Sequence, residues 1–458
     1  MKYLSIAFLT FLFLVGCKNE DDDGFSTTPM STTDTVAIVI PTGNENYLNQ
    51  NSDYIFDQDE LPTFEINLPT THLQMIDSDP AAEEYVEGSL TFEGETISPV
   101  GVRYKGSVGA FVNCLSGDNI FQPSGKKECT KLSMKIKINW DGREEKFFGL
   151  KKLQLHAQNL DASQMRERLA YWLFREMGVP APRSIHARVV INGQYQGLYA
   201  LTEQIDGRFT RYHFENGKGN LYKEIWPLNM DGNPRSEQTY IAHLKTNEDE
   251  NPSAILMRTF AQEVADADDN NIKAVIEQWM DINKIIAYTV VDRTIRVDDG
   301  PFHWYCSGGS CEPHNFYWYE DPVAERMHLI PWDMDNAFEN IIFNTNPITP
   351  IADDWGEISA NCNPFSFGTL GLQQWSAACD KLTGGWVKFE EEYDLLLDQL
   401  KSGPLSEAEA NVQLDKWANQ IRAATEEASN THGDAVSIAE WENALEQLKN
   451  QIEFAREN

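Results

Sequence analysis

Oxygen-bearing side chains stand at both ends of a pair of aromatic and aliphatic segments in the second half of the chain. Segments 314–321 and 327–335 are each short enough for a strand, and an Asp-Pro pair between them favours a turn, so the pattern predicts a β-hairpin. Asn315 begins the first strand, and Asp333 and Asp335 follow the second. One amide and two carboxylate oxygens at the rim of a hairpin suit Mg²⁺. The alternative is that these residues only form turns.

Basic side chains recur on an alternating segment in the first half of the chain. Lys131, Lys135 and Lys137 fall on one face if residues 131–137 (KLSMKIK) form a strand. Lys105 precedes a glycine, a pairing suited to a turn that covers phosphate groups. The alternative for the three clustered lysines is an exposed edge strand, where lysine discourages aggregation.

The elements that must position these residues begin with a β-rich segment at residues 59–205. Strand patterns occur at residues 63–68, 89–92, 100–104, 132–138, 153–156, 187–191 and 197–202. A helix is predicted from residue 163 to residue 177, with Asp161 as its N-cap and Gly178 as its stop. Asn192-Gly193 between two strand patterns predicts a hairpin. We expect a mostly antiparallel sheet that carries one helix.

Helical spacing dominates the remaining residues, 206–458, apart from the hairpin. It occurs at residues 251–266, 272–279, 282–296, 387–401, 407–428 and 438–456. A β-rich half followed by a helical half predicts an α+β protein in two lobes, the first at 59–205 and the second at 206–458.

Composition excludes one class of partner. The 458 residues include 37 Lys and Arg against 71 Asp and Glu, so the formal net charge is −34. Nucleic-acid binding requires clustered cations, and we therefore expect no nucleic-acid partner. A hydrophobic content of 41% is that of a globular protein whose acidic surface is solvated.

The N-terminus predicts export and lipidation. Residues 1–16 combine Lys2 with an apolar run of signal-peptide length, and Cys17 ends that run in the form of a bacterial lipoprotein box. The acidic run at 18–23 resembles the surface-export signal of Bacteroidetes lipoproteins. We expect acylation of Cys17, a flexible linker over residues 17–58, and a location on the outer membrane and cell surface or facing the periplasm. The lipid is the only membrane contact expected.

Six cysteines remain once Cys17 is set aside. An even number in an exported protein predicts disulfides, and local closure is the simplest of the fifteen connectivities. The pairs expected are Cys114–Cys129, Cys306–Cys311 and Cys362–Cys379. A metal site is the alternative, but no pair has the Cys-x-x-Cys spacing of such sites.

Several segments, taken in order, resemble one family. They are residues 101–107 (GVRYKGS), 131–137 (KLSMKIK), 161–167 (DASQMRE), 191–199 (INGQYQGLY), 201–206 (LTEQID), 219–223 (GNLYK) and 330–335 (IPWDMD). This ordered set resembles the CotH family, the spore-coat protein H type of atypical protein kinase. The resemblance extends over about residues 60–345 and rests on the order of the motifs rather than on any single motif.

The resemblance implies a kinase-like fold of two lobes, a β-rich N-lobe and a mainly helical C-lobe. It implies transfer of the γ-phosphoryl group of ATP to Ser or Thr of an exported or surface protein, with Mg²⁺ or Mn²⁺. Asp333 and Asn315 would be metal ligands, with Asp335 as a further candidate. Asp299 would be the catalytic acidic residue, which orients the acceptor hydroxyl. Asp298 stays open for that role, because Val297 stands where the family has Asn.

Nucleotide-binding roles follow from the same resemblance. Lys131 is the first choice for the phosphate-contacting lysine and Lys135 the second, while Lys105 would cover the phosphates from a turn. Glu203, where the two lobes join, would face the nucleotide base or cap the crossover connection between the lobes. Glu167 would pair with the lysine or lie exposed beside two arginines, and the exposed position is the one expected.

Other functions remain open alongside kinase activity. The chain lacks the Gly-x-Gly-x-x-Gly loop and the His-Arg-Asp motif of ordinary kinases, and residues 302–313 insert a clipped loop before Asn315. One alternative is a catalytically inactive surface adhesion or scaffold lipoprotein of the same fold. Another is glycoside hydrolysis, although no paired-acid motif supports it. The acceptor protein and the oligomeric state do not follow from the sequence.

Overall fold

The computed structural model describes residues 52–106, 109–117, 119, 122–144, 146–249, 251–297, 299–338, 362–367 and 372–457. Cys17, the predicted signal peptide 1–16 and Asp298 lie outside these ranges. The described part of the predicted linker, residues 52–58, forms turns, and its Ile55 and Phe56 are buried in the core of the β-rich half. In the described ranges, no helix combines the length and the apolar character that a membrane crossing requires.

The β-rich half is a seven-stranded closed barrel with the strand order β1-β2-β3-β4-β5-β7-β6. Its strands are β1 (Thr63–Asn67), β2 (Val86–Phe92), β3 (Glu95–Tyr104), β4 (Met134–Lys137), β5 (Lys152–His156), β6 (Ser184–Ile191) and β7 (Gln194–Thr202). The expectation of a mostly antiparallel sheet is confirmed, and one parallel pair is added to it. Strand β1 pairs in parallel with β6 as well as antiparallel with β2, which closes the sheet and removes its edges.

Alternation along the strands separates an apolar barrel interior from a polar outer face. In β4, Met134 and Ile136 point into the core, whereas Lys135 points outward. The predicted hairpin of β6 and β7 is confirmed, with Ile191 opposite Gln194 across the turn. Asn192 and Gly193 both have positive φ, 49° and 77°, as the two central residues of a type I′ hairpin turn require.

Two helices accompany the barrel, α1 (Thr70–Ser78), which was not predicted, and α2 (Arg166–Glu176), which was. Helix α2 begins three residues later than predicted, with Met165 rather than Asp161 at the N-cap position. The Asp161 carboxylate instead holds the preceding turn, where it accepts hydrogen bonds from the backbone N–H groups of Ser163 at 3.0 Å and Arg166 at 2.9 Å. Helix α2 contacts β6 and lies over the polar outer face of the barrel. Polar side chains of the strands are therefore buried between the barrel and α2.

The second half consists mainly of helices around the predicted hairpin. The helices are α3 (Gly207–His213), α4 (Glu237–Ile241), α5 (Ile255–Asp266), α6 (Ile272–Trp279), α7 (Ile282–Ile295), α8 (Lys381–Trp386), α9 (Glu390–Ser402), α10 (Val412–Thr431) and α11 (Ile438–Glu457). The strands are β8 (Leu221–Lys223), β9 (His303–Ser307), β10 (Ser310–Glu312), β11 (Phe316–Asp321), β12 (Arg326–Pro331), β13 (Phe365–Phe367) and β14 (Leu372–Ser376). Barrel and helices together make an α+β fold.

The predicted hairpin is confirmed as β11 and β12, which pair from Phe316 opposite Pro331 to Asp321 opposite Arg326. Strand β8 adds to the free side of β11 and completes a three-stranded sheet. Aromatic side chains bury both faces of this sheet, because Trp318 joins the large helical core and Tyr319 a smaller cluster on the other face. This packing makes the hairpin a rigid support for the residues at its ends.

The three predicted disulfides are confirmed. Their Cα–Cα separations are 4.6 Å for Cys114–Cys129, 3.9 Å for Cys306–Cys311 and 5.8 Å for Cys362–Cys379. Cys306 and Cys311 stand opposite one another on β9 and β10, so this disulfide closes the hairpin that precedes Asn315. Three disulfides are compatible with an exported protein.

The C-terminal helices return to the barrel. The Tyr195 hydroxyl on β7 donates to the Ala424 carbonyl of α10 at 3.0 Å. Between α10 and α11, the Asp434 carboxylate accepts hydrogen bonds from the backbone N–H and the hydroxyl of Thr130, both at 2.6 Å. The last helices of the chain therefore hold the barrel against the helical half.

Candidate functional site

The end of the hairpin presents Asp333 on a turn of unusual backbone geometry. Asp333 has φ 58° and ψ 59°, a left-handed conformation that is uncommon for residues other than glycine. Its backbone N–H donates to the Tyr171 hydroxyl of α2 at 3.0 Å. The backbone N–H of the neighbouring Trp332 donates to the Asn315 backbone carbonyl at 3.2 Å. These bonds fix the Asp333 turn between the hairpin and α2.

Asp299 lies on the loop that follows α7, and Asn315 ties this loop to the hairpin. The Asn315 side-chain amide donates to the Asp299 carbonyl at 2.9 Å. Burial raises the pKa of the Asp299 carboxyl to about 7, and the negative charges of Asp333 and Glu224 add to this effect. Asp299 and Asp333 therefore lie close enough to interact electrostatically. A carboxyl with a pKa near neutrality can act as a general base.

The carboxylates form an acidic group around Asp333. Burial raises the pKa of Asp335 well above its usual range, with added contributions from the charges of Asp333 and Glu167. Mutual repulsion of this kind is relieved by a bound cation. Among the described residues, no group of three or more His, Cys, Asp or Glu side chains has the geometry of a preformed metal site. In nucleotide sites Mg²⁺ usually takes one or two carboxylates together with phosphate oxygens, and the oxygens here fit that chemistry.

Lys105, just after β3, is a buried lysine close enough to these carboxylates to act on Asp333. Its ammonium lies 3.0 Å from both Gln154 Oε1 and His156 Nε2 on β5, and 5.3 Å from the centre of the Trp332 ring. Burial raises the pKa of Asp333, while the positive charges of Lys105 and Lys223 act in the opposite direction. The cation therefore acts directly on the proposed metal ligand.

Glu167 is buried, and the expectation of an exposed Glu167 is wrong. Only 1% of the residue is exposed, because α2 lies over the barrel's outer face. Glu167 Oε1 lies 2.8 Å from His156 Nδ1 and accepts a hydrogen bond from the Thr202 hydroxyl at 3.0 Å. The glutamate is thus connected to Lys105 through His156 rather than directly.

The other predicted lysines have different surroundings. Lys131 donates to the Leu198 carbonyl at 2.8 Å and lies over the Tyr199 ring, at the junction between the barrel and the C-terminal helices. Lys135 is fully buried in the middle of β4, opposite Gln154 and Arg103. The alternative of an exposed edge strand is wrong, because β4 pairs with β3 on one side and β5 on the other.

Glu203, after β7, is held in a separate ion-pair cluster. The Arg183 guanidinium donates to both of its carboxylate oxygens, at 2.6 and 3.0 Å, and His213 Nε2 lies 3.6 Å from Oε2. Burial opposes ionisation, but the contacts with His213 and Arg183 lower the pKa of Glu203 to about 2. Its carboxylate is therefore fully engaged by protein groups.

The site brings together Lys105, Asn315, Asp299, Asp333 and Asp335, and it leaves Lys131 and Glu203 in other surroundings. The sequence-based prediction did not single out His156, Gln154 or Glu224. A signal was present for the first two, because Gln154 and His156 alternate with leucines on β5 and therefore had to point away from the barrel interior. Glu224 accepts the Asn315 backbone N–H at 3.4 Å, a contact that depends on tertiary structure alone.

Comparison with known proteins supplies the family. The CotH family, described as "CotH kinase protein", matches residues 102–458, which is most of the chain. A local match joins 62 residues, 14% of this chain, to the "Inner spore coat protein H-like protein" of Bacillus subtilis (strain 168) at 44% identity. That match covers only 19% of the relative's length. On the strength of the family match, which contains every residue of the site just described, the chain belongs to the CotH kinase family.

Proposed function

We propose that this protein transfers the γ-phosphoryl group of ATP to Ser or Thr hydroxyls of exported or surface proteins, with Mg²⁺ or Mn²⁺. The observation that carries the proposal is the convergence of a buried lysine, Lys105, with carboxylates from two other segments, Asp299 from one and Asp333 and Asp335 from the other. Phosphoryl transfer requires this combination of a cation, metal-binding oxygens and an acidic group for the acceptor.

Each residue has a role that follows from its place. Asp333, Asp335 and the Asn315 side-chain oxygen would hold the metal, which offsets phosphate charge when bound. Lys105 would contact a phosphate group from the barrel side. Asp299 would accept a hydrogen bond from the acceptor hydroxyl and take its proton as the bond to phosphorus forms, because its raised pKa suits proton transfer near neutrality.

Calorimetry of ATP binding with and without MgCl₂ tests this proposal. The chain from residue 18 should bind ATP in a Mg²⁺-dependent manner. Asp333→Ala should abolish the Mg²⁺ dependence of binding while leaving the midpoint of thermal unfolding unchanged. Asp415→Ala, a change of an exposed aspartate on α10, is the matched control and should bind ATP as the unmodified chain does. Absence of ATP binding by the unmodified chain would contradict the kinase proposal and favour the adhesion or scaffold function.

We also propose that the protein is an exported lipoprotein anchored through Cys17. The support is the lipoprotein box, together with disulfides of the kind found in exported proteins. Cys17→Ser should release the protein from membrane fractions. Retention of the variant after a high-salt wash would contradict the lipid anchor.

A further inference from the structure

We infer that His156 is the positioning residue for Lys105, connecting the lysine to Glu167 through both nitrogens of its imidazole. The inference rests on the proposed function, since it concerns the lysine that would contact phosphate. The two distances that define the connection are 3.0 Å from Lys105 Nζ to His156 Nε2 and 2.8 Å from His156 Nδ1 to Glu167 Oε1.

Hydrogen-bond chemistry fixes the direction of this connection. A lysine ammonium only donates, so His156 Nε2 must accept from Lys105 and carry no proton. The ring proton then lies on Nδ1 and is donated to the Glu167 carboxylate. The Thr202 hydroxyl donates to the same carboxylate oxygen at 3.0 Å, which holds Glu167 in place.

Packing restricts the imidazole to this arrangement. Only 8% of His156 is exposed, and its ring meets the Trp332 ring edge-on, with 5.7 Å between the ring centres. Trp332 directly precedes Asp333, and its ring also lies beneath the Lys105 ammonium. The imidazole therefore contacts the barrel lysine, the α2 glutamate and the hairpin end at once.

The consequence is that the Lys105 ammonium is joined to the Glu167 carboxylate through an imidazole. In a direct lysine–glutamate pair the carboxylate offsets much of the ammonium charge. A neutral imidazole fixes the ammonium by a hydrogen bond but offsets less of that charge. Gln154 Oε1, the second acceptor, is neutral as well. These two contacts orient the Lys105 ammonium and add no negative charge of their own beside it, which suits contact with an anionic group such as a polyphosphate.

Three substitutions separate the two ends of the connection. His156→Phe removes both hydrogen bonds, His156→Asn keeps a donor near the Nδ1 position for Glu167, and His156→Gln keeps an acceptor near the Nε2 position for Lys105. We expect ATP·Mg²⁺ affinity, measured by calorimetry, to fall about tenfold in the Phe and Asn variants, and less in the Gln variant. Adenosine, which has no phosphate, should bind all four proteins equally.

A double substitution tests whether His156 acts through Lys105. In that case Lys105→Met/His156→Phe should bind ATP no more weakly than Lys105→Met alone, because the group that His156 positions is already absent. His186→Phe is the matched control, since His186 is a buried histidine on the same outer face that contacts Arg168 instead. It should change thermal stability without changing the ratio of ATP to adenosine affinity.

The outcomes distinguish this inference from the proposed function. Failure of the unmodified chain to bind ATP would overturn both. Normal ATP binding with an unchanged ATP-to-adenosine ratio in His156→Phe and His156→Asn would overturn the positioning role alone, as would additive losses in the double variant. If the Phe variant does not fold, the Asn variant, which keeps the bond to Glu167, decides the question by the same ratio.

Discussion

Two regions of the molecule each hold a largely buried lysine, and their surroundings differ. At the junction of the barrel and the C-terminal helices, Lys131 donates to a backbone carbonyl beside Asp434, in a region built to hold two parts of the chain together. At the candidate site, Lys105 contacts the side chains of Gln154 and His156, and its charge acts on Asp333. The comparison teaches that the partners of a lysine, rather than its position in a basic segment, separate a structural lysine from a ligand-binding one.

The largest effect should come from the acidic residues of the candidate site. Asp299→Ala should lower the rate of phosphoryl transfer by about 10²–10⁴-fold, because general-base catalysis contributes that much. ATP affinity should change by no more than about twofold, since Asp299 would meet the acceptor hydroxyl rather than the nucleotide. Transfer rate from labelled ATP and calorimetric affinity measure the two quantities. An equal loss in both would assign Asp299 to nucleotide binding instead.

A direct test of the comparison exchanges each lysine for methionine, which keeps length and removes charge. Lys105→Met should weaken ATP·Mg²⁺ binding by about 10–100-fold, as expected for the loss of a charge-assisted contact to phosphate. Lys131→Met should leave ATP binding within about twofold of the unmodified chain. The reverse pattern, with Lys131 as the sensitive residue, would return the phosphate contact to the basic strand.

The smallest effect concerns stability and pH in the junction. Burial lowers the pKa of Lys131 to about 8, so between pH 8 and its ordinary value of 10.5 the unfolded chain binds the proton more tightly than the folded chain. The contribution of Lys131 to stability should therefore rise with pH over that window, by at most about 3 kcal/mol. Denaturant unfolding of the unmodified chain and of Lys131→Met measures it. A difference that falls as pH rises would contradict this environment for Lys131.

The hairpin and the disulfides that support the candidate site could be predicted from local sequence pattern. Alternation in β11 and β12, with a turn signal between them, predicts the hairpin and hence the nearness of Asn315 to Asp333, because pairing of the strands brings their outer ends together. The cysteine pairs are close in sequence, and closing a short loop requires little loss of chain entropy. Both features depend on residues that are neighbours along the chain.

The sequence by itself thus determined the barrel strands, the central hairpin with Asn315 and Asp333 at its ends, the long helices and the disulfides. Tertiary structure alone decided that the sheet closes through the β1–β6 pair and that α2 covers its outer face. Alternation shows that Lys105, His156 and Lys135 point away from the apolar interior, but it carries no information about what covers them. Burial of Glu167 and the choice of Lys105 over Lys131 arise from contacts between segments far apart in the chain, and local periodicity does not specify such contacts.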